Sequence, residues 1–276
     1  MSKSSAPAIP ALLLVGCGKM GGALLSGWLE RGVARRYLVV EPMPGDLPIL
    51  KRPEVERLAA PEDIPLDFET GVIVLAVKPQ VMHEALLPYR RFAGKGTLFL
   101  SIAAGKTLRF FARHLGERAS VIRAMPNTPA AIGRGIAVAC PNAAAAPAQR
   151  ALAERLLAAV GEVGWVEDEA LLDAVTAVSG SGPAYVFLLI ECLAQAGVEA
   201  GLPVALAMRL ARATVAGAGE LARLSDESAA ALRTAVTSPG GTTRAALDVL
   251  MGKNGLDKLI GRAVMAATKR SRELAD

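Results

Sequence analysis

The residues with the clearest chemical meaning lie near the start of the chain: Gly16-Cys17-Gly18-Lys19-Met20-Gly21. Their glycines follow the spacing G-x-G-x-x-G. An apolar run, residues 11–15, precedes them. An amphipathic stretch, 21–31, follows, with Leu24, Leu25, Trp28 and Leu29 on one side. Glu41 stands 20 residues after Gly21, at the end of the next apolar run. In a strand–loop–helix setting this is the phosphate-binding turn of a dinucleotide site. Gly16 makes the tight turn, Gly18 leaves room for a pyrophosphate, and Gly21 lets the helix pack on the strand. The helix start then offers amide donors and the positive end of a dipole. A carboxylate at Glu41 accepts a hydrogen bond from a ribose 2′-hydroxyl and repels a 2′-phosphate. No Lys or Arg follows it until Lys51 and Arg52, which favours NADH over NADPH. The plain alternatives are a glycine turn without a ligand and a Glu41 that faces solvent.

Two more runs end in candidate contacts. Ala76-Val77-Lys78-Pro79 closes the third, and Ser101-Ile102-Ala103-Ala104-Gly105 the fourth. Ligands of open α/β sheets sit beyond the carboxyl ends of strands. The small residues Ala103, Ala104 and Gly105 offer a backbone surface for a nicotinamide ring, or serve packing alone.

A second constellation lies in the other half of the chain. Ser179-Gly180-Ser181-Gly182-Pro183-Ala184-Tyr185 and Thr237-Ser238-Pro239-Gly240-Gly241-Thr242-Thr243 each precede a helical stretch. Glycine and hydroxyl residues at a helix start gather N–H and O–H donors suited to a carboxylate. Plain helix capping would use the same residue types.

The elements that must position these residues follow from hydrophobic periodicity. Residues 11–15, 37–40, 72–77, 97–102 and 120–125 are short apolar runs of the buried parallel-strand type. Helical stretches lie between them, including 82–87 and 107–115. This alternation predicts an α/β, Rossmann-type doubly wound parallel sheet. Residues 141–147 read as an Ala-rich loop, 148–160 as a helix and 164–166 as a last strand. Beyond 169 only helices are expected, at 171–178, 184–197, 203–224, 229–236, 243–252 and 255–274, with Pro203 at a first helical position. The expected domains are a flexible tail at 1–10, a dinucleotide-binding domain at 11–165, and an all-helical substrate-binding and dimerisation domain at 166–276.

Composition excludes other classes. The chain has 276 residues, 52% apolar but 4% aromatic, with two His and three Cys. The apolar content rules out a disordered chain, and so few aromatics argue against a stacking platform for nucleic acid. Scattered Cys and two His argue against a disulfide framework and against a metal site. The net charge of +5 divides into +7 for residues 1–164 and −2 for the rest. A basic first half suits an anionic small ligand, while the lack of Lys/Arg runs argues against nucleic acid.

Leu14-Val15-Gly16-Cys17 imitates a lipoprotein cleavage site, but its apolar run is too short for a signal segment. Residues 174–190 are uncharged, yet Ser179–Pro183 interrupts them, so they read as buried and not as a membrane span. The expected location is the cytoplasm, with Cys17, Cys140 and Cys192 as reduced packing thiols.

Taken in order from about 11 to 275, these blocks resemble the pyrroline-5-carboxylate reductase family. The resemblance rests on 16–21, Ala76-Val77-Lys78-Pro79-Gln80, 101–105, Arg123-Ala124-Met125-Pro126-Asn127-Thr128-Pro129, 179–185, 236–243 and 262–274. The Ser-Pro-Gly-Gly-Thr-Thr block is its most specific element. The resemblance implies reduction of 1-pyrroline-5-carboxylate to L-proline by NAD(P)H, the last step of proline biosynthesis. It also implies a helical domain that interlocks with its twin in a homodimer, with larger rings built from dimers.

By the same resemblance, Ser238, Gly240, Gly241, Thr242 and Thr243 hold the substrate carboxylate, with Ser181 as a further contact, and Thr243 lies near the imine nitrogen. The cofactor falls to 16–21, 76–79 and 103–105. Two departures stand out. The family's Glu near the imine is matched by the shorter Asp226. The polar residues that suit NADPH are replaced by Glu41-Pro42-Met43-Pro44.

The chemistry agrees with an imine. Ketone reduction leaves an alkoxide and commonly needs a positioned acid. Only His83 and His114 exist, both expected on surface helices of the first domain. An imine is protonated before hydride arrives, so a hydroxyl such as Thr243 need only orient it. Two alternatives remain: a 3-hydroxy acid dehydrogenase using a late Lys (Lys253, Lys258 or Lys269), and a non-catalytic dinucleotide sensor. Finally, helices apolar nearly all round in 171–224 require burial, hence a partner copy.

Overall fold

The computed structural model describes residues 9–43, 45 and 47–275. The tail expected at 1–10 lies outside these except for Ile9 and Pro10, as does Pro44. Ile9 and Pro10 correct that expectation, because they open the first strand. Pro10 is tolerated there because only one neighbour pairs with this end of the strand, and a proline has no N–H to offer a second.

The first part of the chain runs β1 (Ile9–Val15), α1 (Lys19–Arg31), β2 (Ala34–Val40), β3 (Val55–Leu58), β4 (Val72–Leu75), α2 (Met82–Leu86), β5 (Leu98–Ser101), α3 (Leu108–Leu115), β6 (Ser120–Met125), β7 (Gly135–Pro141), α4 (Pro147–Leu157) and β8 (Gly161–Trp165). Helices follow: α5 (Leu171–Val175), a π-helical turn (Thr176–Gly180), α6 (Gly182–Glu199), α7 (Val204–Leu224), α8 (Ala229–Ala235), α9 (Thr242–Leu250) and α10 (Leu256–Glu273).

The strands form one sheet in the order β3-β2-β1-β4-β5-β6-β7-β8. From β1 the chain moves outward through β2 and β3, then returns to the other side of β1 with β4. The carboxyl ends of β1 and β4 are therefore a topological switch point, where such sheets bind ligands. Alternate residues of β1 feed two cores, one per face. Leu12 and Leu14 join Trp28, Tyr37 and Val74, whereas Leu13 and Val15 join Ile73, Phe99 and Phe111. A sheet covered on both faces explains why the strands read as unbroken apolar runs.

Trp28 locks α1 against α4 by donating its Nε1–H to the Leu156 carbonyl at 2.8 Å, and the Tyr37 hydroxyl donates to the Trp28 carbonyl at 2.9 Å. Each such ring buries roughly 150–250 Å², about 4–6 kcal/mol of gross hydrophobic gain.

Strand β3 went unseen because its Val-Glu-Arg-Leu pattern is that of an exposed edge. Strand β7 was also missed. It lies between turn residues as Gly-Ile-Ala-Val-Ala-Cys-Pro and runs antiparallel to β6, so the sheet is not wholly parallel. The short antiparallel connection needs no crossover helix to announce it. Strand β8 starts earlier than expected, and Pro203 is the N-cap of α7, not its first helical residue.

The chain divides into two compact units. One holds the chain up to Gly180 together with the stretch from Thr268 onward, and the other is Ser181–Ala267. Side-chain bonds explain why the first unit extends past the last strand. Glu169 pairs with Arg123 at 2.5 Å, the Asn127 amide donates to the Ser179 carbonyl at 3.2 Å, and the Ser271 hydroxyl donates to Asp173 at 2.6 Å.

In the second unit α6 and α7 approach closely. A Cβ on Gly197 would lie 3.3 Å from that of Ala207, and Ala194, Ala207 and Ala211 are its buried side chains among the described residues. This is where the small apolar residues are used.

The expected burial of 174–190 is corrected for the chain taken singly. Phe187 is 57% and Leu188 58% exposed. By length and composition Leu171–Glu199 could cross a membrane. A helix pair is too thin to cover all sides of an all-round apolar helix, so its outer face stays open until something packs on it.

Candidate active site

Main-chain bonds line up the strand ends. Gly16 N–H donates to the Val40 carbonyl at 2.9 Å, Ala76 N–H to Val15 at 2.8 Å, and Ile102 N–H to Leu75 at 3.1 Å. The glycine turn, Ala76–Pro79 and Ala103–Gly105 are thus successive neighbours along one edge of the sheet. The structure brings together all three cofactor segments named from sequence.

Each glycine in the turn has its own reason. Gly16 has φ +86°, and a Cβ there would come within 2.9 Å of Val77 Cγ1. A Cβ on Gly21 would meet the Gly16 carbonyl oxygen at 2.5 Å. These two are required by the chain's own packing. Gly18 is not, for a Cβ there meets nothing within 4 Å. The open space at Gly18 fits a group arriving from outside. Gly18 is also the N-cap of α1, with no side-chain cap bond and no acidic residue in the first turn. The first amides of α1 therefore stay available to an anion, which suits a diphosphate.

Glu41 does more than the sequence implied. Its Oε2 accepts the Cys17 N–H at 2.7 Å, and its Oε1 accepts the Met43 N–H at 3.1 Å. The carboxylate ties the β2 end to the glycine turn, and each oxygen keeps a lone pair for a ribose hydroxyl. Arg52 is held by Glu54 at 3.2 Å.

The Cys17 thiol is buried. Desolvation, and then the Glu41 charge, push it up to about 11. Cys140 is likewise pushed up to about 11 by burial and then by Glu169. Neither is a nucleophile near neutral pH. Cys192 is exposed in the single chain, against the packing role read from sequence.

Residues that sequence reasoning missed support the Ala103–Gly105 surface. Gly105 has φ +75°, and a Cβ there would lie 2.8 Å from the Leu274 carbonyl oxygen. The end of α10 thus packs under this loop. Beyond the loop, Glu169 accepts the Leu108 N–H at the start of α3 at 2.6 Å. No local pattern announces contacts between residues so distant in sequence.

His83 and His114 face each other, Nδ1 to Nε2 at 2.8 Å, and His114 Nδ1 lies 2.7 Å from the Phe110 carbonyl. His83 is exposed and His114 half-buried, and each is occupied by the other.

In the second unit, Ser238 to Gly241 form a tight turn closed by Gly241 N–H to the Ser238 carbonyl at 3.1 Å. A Cβ on Gly241 would strike Ser238 Oγ at 2.5 Å. Gly241 is the N-cap of α9, again with no side-chain cap bond and no acidic first turn. Thr242 and Thr243 open the helix. The turn and helix start bring Ser238, Gly240, Gly241, Thr242 and Thr243 together as one donor cluster. Asp226 lies in the connection before α8, beyond the other end of that helix. Seven helical residues span roughly 10 Å, and among the described residues no hydrogen bond joins Asp226 to the cluster. Ser181 stands at the N-cap of α6, also without a side-chain cap bond.

A sheet with a glycine turn at its switch point, followed by a helical unit with its own anion-ready helix start, defines a dinucleotide-dependent two-unit oxidoreductase. Comparison with known proteins specifies it further. Residues 11–105 match the family model for NADP oxidoreductase, coenzyme F420-dependent, and residues 169–274 match that for pyrroline-5-carboxylate reductase dimerisation. The pyrroline-5-carboxylate reductase of Synechocystis sp. is 42% identical, covering 95% of this chain and 97% of its own. The solved structure of the Coxiella burnetii enzyme superposes with TM-score 0.87 at 33% identity, covering 96% of this chain and 98% of that one. That of the Plasmodium falciparum enzyme, with NADP bound, gives 0.82 at 28% identity, covering 97% and 98%.

The chain belongs to the pyrroline-5-carboxylate reductase family. The dehydrogenase and sensor alternatives are thereby set aside. The first unit is an NAD(P)-binding domain, and the dimerisation match supports a homo-oligomer.

Proposed function

We infer that the chain reduces 1-pyrroline-5-carboxylate to L-proline at the expense of NAD(P)H, the last step of proline biosynthesis. The observation that carries this reading is similarity along the whole chain to reductases of that name, with the Ser238–Thr243 cluster intact. NAD(P)H, when bound, supplies the hydride. Within the 16–21 turn, Gly16 and Cys17 donate their N–H groups to Val40 and Glu41, and the amides from Gly18 to Gly21 hold its diphosphate; Glu41 holds its ribose, Ala76–Pro79 its flank and Ala103–Gly105 its nicotinamide.

The main-chain N–H groups at Gly240, Thr242 and Thr243 take the substrate carboxylate, helped by the Ser238 and Ser181 hydroxyls, while Gly241 closes the turn through its own N–H to the Ser238 carbonyl. The Thr243 hydroxyl hydrogen-bonds the ring nitrogen and orients the C=N bond. The iminium nitrogen already carries its proton, so hydride addition at the ring carbon completes the amine with no side-chain acid. The pairing of the two histidines with each other agrees with this economy. Asp226 acts at longer range, as a charge favouring the iminium form. Orientation and exclusion of water supply the rate advantage.

Glu41 lowers affinity for a 2′-phosphate and favours NADH. Residues 11–165 serve the cofactor, and 166–276 serve the substrate and dimerisation. The all-round apolar helices fit an interlocked dimer, with larger rings built from it. The enzyme works in the cytoplasm on a small cyclic imine, with neither nucleic acid nor membrane as partner.

Loss of cofactor absorbance on adding 1-pyrroline-5-carboxylate, run with NADH and NADPH side by side, tests both points. No turnover with either cofactor would refute the activity. A strong NADPH preference would refute the reading of Glu41.

A further inference from the structure

A cation 16 residues further along the chain reaches the main chain at Glu41. Strand β3 pairs with β2, and Arg57 stands opposite Val39 at the carboxyl end of that pair. Its Nε–H donates to the Glu41 carbonyl at 3.0 Å, and its Nη2 donates to the Pro42 carbonyl at 3.2 Å. The guanidinium is thus anchored to the main chain of the residue whose carboxylate accepts the Cys17 N–H.

Two of its five N–H donors are used, leaving three. Its neighbours differ. Arg36 is paired with Glu56 and Arg52 with Glu54, whereas no carboxylate among the described residues pairs with Arg57. An exposed, anchored guanidinium with unused donors matches a phosphate in charge and geometry.

We propose that Arg57 determines specificity at the adenosine 2′ position: it takes the 2′-phosphate of NADPH and offsets the repulsion of Glu41, so the chain accepts both nicotinamide cofactors. The assignment rests on reading the 16–21 turn and Glu41 as the dinucleotide site. It deepens that reading by naming the group that opposes Glu41.

The test compares the wild-type enzyme with Arg57→Gln, which keeps an N–H donor for the two carbonyls but loses the charge, and with Arg57→Ala. Calorimetric titration with 2′,5′-ADP and with 5′-ADP reads the 2′-phosphate alone, and kcat/KM for NADPH and NADH reads it in turnover. The expected result is a fall of about tenfold in the ratio of 2′,5′-ADP to 5′-ADP affinity, with a matching fall in the NADPH/NADH ratio. An unchanged ratio overturns the assignment, even if both affinities drop, because Arg57 would then only hold the β2 end. If neither nucleotide binds the wild-type protein, the dinucleotide reading fails and the assignment falls with it.

Discussion

The Glu41 carboxylate accepts the main-chain N–H of Cys17 at 2.7 Å, so the residue proposed to read the ribose also fixes the glycine turn. Glu41→Ala removes both. We expect NADH affinity to fall by one to two orders of magnitude, from a charge-assisted hydrogen bond worth about 1.5–3 kcal/mol. NADPH affinity should fall less, because a repulsion is relieved at the same time. Fluorescence titration of the reduced cofactors checks this, and a larger loss for NADPH would contradict it.

Thr243→Ala should lower kcat about a hundredfold, the scale of a lost orienting hydrogen bond, with dinucleotide affinity unchanged. Thr243→Ser should recover most of the loss, since it keeps the hydroxyl. Steady-state kinetics beside a cofactor titration would show it. Full turnover in the alanine variant removes Thr243 from the mechanism.

Gly105→Ala places a methyl group 2.8 Å from the Leu274 carbonyl oxygen at φ +75°. The backbone conformation alone costs about 1–3 kcal/mol. The melting temperature should drop by several degrees and kcat should fall with it. Removal of 271–276 should lower kcat while sparing the melting temperature more, because the brace goes but no clash is added.

Cys17 and Cys140 are protonated in the folded chain up to about pH 11, against an ordinary value of 9.0. The folded state therefore binds more protons than the unfolded state between these values. Their contribution to stability is fully present below pH 9 and is lost as pH rises towards 11. The urea midpoint should decline across that window, and replacing both cysteines with Ala should flatten the decline. An equal slope in that variant would refute the assignment.

Phe187→Asp with Leu188→Asp puts two charges on the open face of α6. Light scattering should show a shift from oligomer to monomer. An unchanged mass would place the interface elsewhere on 169–274.

The sequence by itself determined what depends on neighbours along the chain. The glycine spacing after an apolar run, the parallel-strand runs at 72–77 and 120–125, and the Ser-Pro-Gly-Gly-Thr-Thr turn before a helix were all legible. Periodicity, turn chemistry and helix starts are local properties. The edge strand β3 was not legible because its strand character comes from pairing and not from composition, and β7 was not because its antiparallel return to β6 breaks the strand–helix alternation. Only the tertiary structure decided that Arg57 lies against Glu41, that Leu274 braces Gly105, and that Gly18, alone of the three glycines, is left open. Each of these is a meeting of segments set by strand order and chain return, and the side chains carry no local signal of it.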